Sequence, residues 1–230
     1  MGSNVRFPQV IVDCMNDPDS PLHSLLRRAG VLPVVTADSV EQALAIGHAL
    51  RDGGLTAIEL TLRTPSALDA LAALKAAFPE LAIGAGTVLQ PAQVDAVSEL
   101  GADFIVTPGT SPKLREALAA SPVPVLPGAA TPSELLALAE AGFGIAKLFP
   151  ATAVGGLALV KALQGPLPHM QLCPTGGIDA STASDYLTQP NVICIGGSWM
   201  VPSHWIAAGN FDRVREAARQ TAALVARNQR

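Results

Sequence analysis

Eight short apolar runs rich in β-forming residues predict a single-domain α/β protein with a (β/α)8 TIM barrel. They recur at a regular interval, and helix-start chemistry fills the gaps between them. The runs are Val31–Thr36, Ala57–Leu62, Leu81–Val88, Phe104–Pro108, Val123–Pro127, Ile145–Phe149, Gln171–Thr175 and Val192–Ile195. Their starts lie roughly 19 to 26 residues apart, the length of one strand, loop and helix. An open doubly wound sheet would share this alternation. The even spacing and the lack of a dinucleotide-binding glycine fingerprint argue against it. No linker or low-complexity stretch divides the 230 residues. The layout is a short N-terminal extension over residues 1–23, a barrel core over about 31–198, and a C-terminal helix over about 212–228.

In chain order, Pro18 and Pro21 break the extension before a short helical stretch around Leu22 to Ala29. Between the strands, Thr64-Pro65, Ser111-Pro112 and Thr131-Pro132 each put a capping oxygen before a proline at the first helical position. Thr131 with Glu134, and Asp38 with Glu41, have capping-box spacing. Leu68, Leu71 and Phe78 follow a helical repeat, as do Leu114 with Leu118 and Leu135 with Leu138. Gly53-Gly54, Gly101 and Gly142 stop helices before the next strand. The last helix gathers Val214, Ala217, Ala218, Thr221 and Leu224 on one face. Trp199 and Trp205, after the eighth strand, read as packing or interface residues.

Composition narrows the function classes. Hydrophobic residues make up 49% of the chain and charged residues 15%, which suits a large core and makes disorder improbable. A net charge of -4 with no basic stripe argues against a nucleic-acid partner. Cys14, Cys173 and Cys194 are too few and too scattered for a disulfide framework and fit a reducing compartment. The first apolar run, Val10-Ile11-Val12, is too short for a signal peptide, and no run has membrane-spanning length. The expectation is a cytoplasmic protein with no membrane partner and a small-molecule substrate.

One residue breaks the pattern. Of the four lysines, Lys75, Lys113 and Lys161 stand in polar or helical surroundings, whereas Lys147 sits inside the apolar run Gly144-Ile145-Ala146-Lys147-Leu148-Phe149. A buried ammonium is costly unless paired or neutralised. Period two puts Lys147 on one face with Ile145 and Phe149, and puts Glu59, Thr61 and Arg63 together on the second strand. With the aliphatic faces packed on helices, these polar faces point inward, so a carboxylate, a guanidinium and an amine meet at nearby depths. A structural ion-pair network would use the same residues. Three charged groups near the C-terminal mouth, where barrel active sites lie, favour catalysis. A desolvated lysine is a nucleophile towards a ketone, and Glu59 is a suitable proton shuttle. Arg63 suits a bidentate grip on a carboxylate, with the Thr87 hydroxyl adding to it.

Gly176-Gly177 and Gly196-Gly197-Ser198 follow the seventh and eighth strands, where barrels often hold phosphate through backbone N–H groups. Glycine pairs there can also be plain turns. His23, His48, His169 and His204 are scattered and form no ligand cluster, so neither a metal nor another cofactor is expected. Cys173 and Cys194 read as core residues.

Five motifs in order, Glu59-Leu-Thr-Leu-Arg63-Thr64, Gly84-Ala-Gly-Thr87-Val, Lys147-Leu-Phe149-Pro150-Ala151, Cys173-Pro-Thr175-Gly176-Gly177-Ile178 and Cys194-Ile-Gly-Gly197-Ser198-Trp199, resemble the class I 2-keto-3-deoxy-6-phosphogluconate (KDPG) / 4-hydroxy-2-oxoglutarate (KHG) aldolase family. The resemblance runs from about Val31 to Arg219. It implies a homotrimeric barrel in which Lys147 forms the Schiff base and Glu59 shuttles protons. It also implies that Arg63 and Thr87 hold the substrate carboxylate, that Pro108, Phe149 and Thr175 line the site, and that Gly176, Gly177, Gly197 and Ser198 receive the phosphate. The C4-epimeric phosphogalactonate aldolase shares this logic. An isomerase or epimerase barrel, or a barrel that only binds phosphosugars, would leave Lys147 unexplained.

Overall fold

The computed structural model describes residues 20–229. Residues 1–19, and with them Cys14 and most of the N-terminal extension, lie outside the described residues. Strands and helices alternate along the chain: α1 (Pro21–Ala29), β1 (Val31–Val35), α2 (Val40–Asp52), β2 (Ala57–Thr61), α3 (Ala67–Ala77), β3 (Ala82–Gly86), α4 (Pro91–Glu99), β4 (Phe104–Val106), α5 (Pro112–Ala119), β5 (Val125–Leu126), β6 (Gly128–Ala129), α6 (Pro132–Glu140), β7 (Ile145–Leu148), α7 (Gly156–Gln164), β8 (Gln171–Pro174), α8 (Ala183–Leu187), β9 (Ile195–Gly197), α9 (Ser203–Ala207) and α10 (Phe211–Asn228).

All strand pairs are parallel. One sheet runs β5-β4-β3-β2-β1-β9 and the other β6-β7-β8. Two features join them into a ring. On one side β5 and β6 are halves of the fifth barrel strand, parted at Pro127. On the other side parallel bridges link Leu172 to Val192 and Thr175 to Gly196. The fifth strand therefore departs from the continuous run expected over Val123–Pro127. Pro127 has no N–H to give a ladder, but its carbonyl accepts from Lys147 N–H at 2.8 Å. The eighth strand also starts later than expected, because Val192 N–H turns back to the Gln189 carbonyl.

The strand faces follow the predicted parity. Ile58, Leu60, Ile83 and Ala85 pack outward on helix residues such as Leu71, Leu74 and Phe78. Leu32, Ala57, Phe104, Val106, Leu126, Ile145, Cys173 and Cys194 fill the barrel interior, and Leu22, Leu26 and Ala29 of α1 join that cluster. The short N-terminal helix thus plugs the floor of the barrel. Phe104 is fully buried there, worth about 2–3 kcal/mol by burial alone. It fits because Gly84 faces it: a Cβ on Gly84 would lie 2.2 Å from the Phe104 ring.

Several helix caps stand as predicted. Ser111 accepts from Leu114 N–H, and Thr131 with Glu134 forms a full capping box. Two are corrected. The second helix is capped by Ser39, which accepts from Gln42 N–H, while the Gln42 side chain accepts from Asp38 N–H. Asp38 and Ser39 are both capping types, and the chain uses the second. Thr64 does not cap the third helix, which begins after Ser66. Its hydroxyl instead donates to the Ala37 carbonyl at 2.7 Å, tying the β2 loop to the end of β1. Leu68, expected on the buried face, is exposed, whereas Leu71, Leu74 and Phe78 are buried. The last helix buries Val214, Ala218, Thr221 and Leu224 as expected. The Trp199 indole N–H donates to Thr221 Oγ1 at 3.1 Å, which fastens that helix to the loop after β9.

Candidate active site

At the C-terminal end of the barrel interior, β7 brings Lys147 to Glu59 of β2. Lys147 Nζ stands 2.8 Å from Glu59 Oε1 and 3.2 Å from Oε2. Their side chains are only 5% and 1% exposed, so water screens the pair little. The contact crosses between the two sheets. Space for it comes from β3, where a Cβ on Gly86 would lie 2.4 Å from Glu59 Oε1. The Phe149 ring lies 5.6 Å from Nζ, over the lysine as the shared face requires. Below them burial pushes the Cys194 thiol well up; hydrogen bonding and charge from Cys173 and the Glu59 charge add to this, and Lys147 opposes it. Both cysteines are buried in the core, as expected.

Arg63 does not join this pair. Strand β2 ends at Thr61, so Arg63 stands at the exposed rim rather than at the depth of Glu59. There its Nε donates to Thr87 Oγ1 at 3.0 Å. Thr87 is held at φ 58, which L-residues avoid at a cost of about 1–2 kcal/mol. Strain of this kind gathers at functional positions. The arrangement leaves the guanidinium's remaining N–H groups at the mouth. Half-buried Pro108 and Phe149 stand just past the ends of β4 and β7, on either side of the fifth strand. A cavity of about 470 Å³ opens between Arg63 and Ser198, lined also by Thr36, Gln42 and Ser203. A larger groove of about 810 Å³ lies among Arg28, Gly30, Gln189 and Asn228 at the opposite end of the barrel. It contains none of the candidate residues, so we place the site by chemistry rather than by size.

The glycine turns lie side by side because Thr175 bridges Gly196. Thr175 is buried, and its hydroxyl occupies the position that a Cβ on Gly196 would need. Gly176 and Gly177 both take positive φ, 99° and 77°. Among the described residues, none accepts a hydrogen bond from the amides of Gly177 or Ser198, whereas the Gly176 N–H faces the Gly196 carbonyl across the bridge. Gly197 is buried inside β9, with the Trp199 ring against its α-carbon, while Ser198 is exposed.

Sequence reasoning put Thr61 on the inward face but not the hydroxyl contacts that support the site. The Thr36 and Thr61 hydroxyls pair at 2.7 Å on the inward face beside Glu59. Thr107 Oγ1 accepts from Gly128 N–H at 2.8 Å, and Thr110 Oγ1 donates to the Gly128 carbonyl at 2.9 Å. These two hydroxyls take over where the β4–β5 ladder stops, and Gly128 is in register with Lys147. The cluster Thr107-Pro108-Gly109-Thr110 was visible as a signal, but its partner across the ring was not. Among the described residues, no group of three or more His, Cys, Asp or Glu side chains is placed to hold a metal ion. No helix among them is long and apolar enough to cross a membrane.

A family profile described as KDPG and KHG aldolase matches residues 22–217. The chain belongs to the KDPG and KHG aldolase family. It is 42% identical over 209 residues to a 2-dehydro-3-deoxy-phosphogluconate aldolase of Pseudomonas aeruginosa, covering 91% of this chain and 95% of the relative. It is 41% identical over 197 residues to a KHG/KDPG aldolase of Escherichia coli, covering 86% and 92%. Among solved structures, a KDPG aldolase from Legionella pneumophila superposes with a TM-score of 0.84 at 40% identity, covering 87% of this chain and 97% of that one. That protein was captured with pyruvate as a covalent carbinolamine. The α/β barrel and the family reading of the five motifs both hold.

Proposed function

We propose that the chain is a class I aldolase, an aldehyde-lyase that cleaves 2-keto-3-deoxy-6-phosphogluconate to pyruvate and D-glyceraldehyde 3-phosphate. The observation that carries this is the buried Lys147–Glu59 contact at 2.8 Å, in a chain whose relatives bear aldolase names. A proton passing from Nζ to Glu59 leaves a neutral amine that adds to the C2 ketone. Glu59 gives that proton to the carbinolamine hydroxyl, which leaves as water, so that an iminium faces a carboxylate. Glu59 as carboxylate takes the C4 hydroxyl proton, the C3–C4 electron pair moves into the enamine, and the aldehyde leaves. Glu59 returns the proton to C3, and water adds at C2 to release pyruvate and Lys147. No step calls for a metal or cofactor.

Around this centre, Arg63 and Thr87 bind the substrate carboxylate, Pro108 and Phe149 flank the reacting carbons, and Thr175 contacts the chain beyond them. The Gly177 amide and the Ser198 hydroxyl and amide receive the phosphate, and Gly176 and Gly197 shape the turns that present them. 4-Hydroxy-2-oxoglutarate, giving pyruvate and glyoxylate, fits the same centre without using the glycine turns. The rest of the reading is one barrel domain, assembled as a homotrimer in the cytoplasm. Borohydride reduction with pyruvate followed by peptide mapping tests the centre: the three-carbon adduct is expected on Lys147, and an unmodified Lys147 in inactivated enzyme would sink the proposal. Turnover of the two C4 epimers separates the gluconate from the galactonate substrate, and light scattering in solution tests the trimer.

A further inference from the structure

We propose that Thr152 is a positioning residue that selects for a phosphorylated substrate by aiming the Gly177 amide. The inference rests on the phosphate reading above and deepens it. Thr152 lies in the exposed loop after β7, outside every motif that the sequence singled out. That loop runs alongside the glycine turn: Ala151 N–H donates to the Thr175 carbonyl at 2.8 Å, and Thr152 N–H to the Gly176 carbonyl at 3.1 Å. The Thr152 hydroxyl donates to the same Gly176 carbonyl, also at 3.1 Å. One side chain and its own backbone therefore grip a single oxygen.

The consequence follows from the planarity of the peptide unit. In a trans peptide the carbonyl of one residue and the N–H of the next point in opposite directions. Fixing the Gly176 oxygen against Thr152 therefore fixes the Gly177 N–H to point away from it. That amide donates to no described residue. Two successive glycines at positive φ would otherwise let this peptide plane swing at little cost. Thr152 also fills the space beside Gly177: a Cβ there would lie 1.8 Å from Thr152 Oγ1. The hydroxyl thus braces the turn on one side and leaves the amide free on the other, which is the geometry that an anion held by backbone N–H groups requires.

The test compares wild type, Thr152→Val and Thr152→Ser on two substrates, the phosphorylated six-carbon 2-keto-3-deoxy acid and the same acid without its phosphate. Valine keeps the shape and the backbone grip but removes the hydroxyl. Its expected effect is a KM for the phosphorylated acid raised roughly five- to tenfold, the scale of one lost hydrogen bond, with kcat unchanged. The unphosphorylated acid should show no change in either constant, and serine should restore the wild-type KM. An equal loss on both acids would reduce Thr152 to a fold-supporting residue and overturn the proposal. So would a wild-type preference for the phosphorylated acid that Thr152→Val leaves intact, with the phosphate site itself surviving. A wild type with no preference between the acids would remove the phosphate site and this inference together.

Discussion

The two working regions of the mouth are built from opposite materials. On the β2–β7 side the proposed centre is made of side chains: Lys147 and Glu59 are almost wholly buried, and each is fixed by the other. On the β8–β9 side the proposed phosphate site is backbone, in turns that stay partly exposed and whose Gly177 and Ser198 amides are free among the described residues. The difference sets what each region can tolerate. A buried ion pair admits no single substitution without stranding a charge or a polar group. A backbone cradle depends on the residues around it keeping their Cβ atoms out of the way. The first region should fail in kcat and the second in KM.

Lys147→Ala should break the side-chain region most severely. With no amine to form the iminium, kcat should fall by at least roughly 10⁴-fold in a coupled pyruvate assay, the scale seen when a covalent nucleophile is removed. Its stability need not fall in step, because the stranded Glu59 can take up a proton. Glu59→Gln should lower kcat by about 10²–10⁴-fold, the usual contribution of a positioned acid–base group, while pyruvate trapping at Lys147 persists more slowly. A loss confined to KM in either variant would contradict the assignment of the pair to the chemical step.

Gly177→Ala probes the backbone region. The new Cβ meets Thr152 Oγ1, and the φ of 77° is strained for alanine, at a cost of about 1–2 kcal/mol from the backbone alone. The expected result is a lower melting temperature and a KM for the phosphorylated acid raised by about tenfold, roughly the loss of one charge-assisted hydrogen bond. A change in kcat of the same size would erase the contrast between the regions. Thr107→Val reaches the lysine strand only through its neighbour. It leaves the Gly128 N–H without its acceptor, which should lower unfolding stability by about 1–3 kcal/mol in urea titration. Smallest of all, thiol reagents should leave Cys173 and Cys194 unlabelled in the native protein at mildly alkaline pH. Both are buried, and burial pushes the Cys194 thiol well up; peptide mapping before and after denaturation reads this directly.

The same contrast governs how much could be read from the sequence. Lys147 and Glu59 were legible because a charged residue in an apolar run with period two has only one reasonable address. The eight-fold rhythm was legible because hydrophobic runs and proline-marked helix starts are local signals. Arg63 was placed too deep because parity gives a face but not where the strand stops, and β2 stops at Thr61. Asp38 was taken for a cap because it has the same chemistry as its neighbour Ser39. Thr64 was misread because its hydroxyl has a better acceptor, the Ala37 carbonyl, which only the folded ring brings near. The partners of Gly86, Thr107 and Thr152 were hidden for one reason: each lies on another strand or loop, and that register is set by closure of the barrel.

Closure gives the lysine–glutamate contact a second meaning. Glu59 belongs to the six-stranded sheet and Lys147 to the three-stranded one, and the ring joins them through the Pro127 junction and a pair of bridges. The ion pair is therefore a rivet across a seam. Lys147 Nζ contacts both Glu59 oxygens, whereas an iminium nitrogen has one N–H to give. Under the proposed mechanism, each turnover would loosen the rivet and each product release would restore it. Amide exchange at Gly128 and Thr175, on the two flanks of the three-stranded sheet, should quicken in the enzyme saturated with pyruvate, where the iminium forms, relative to the free one. If it does, the enzyme reports the state of its chemistry in the breathing of its own wall.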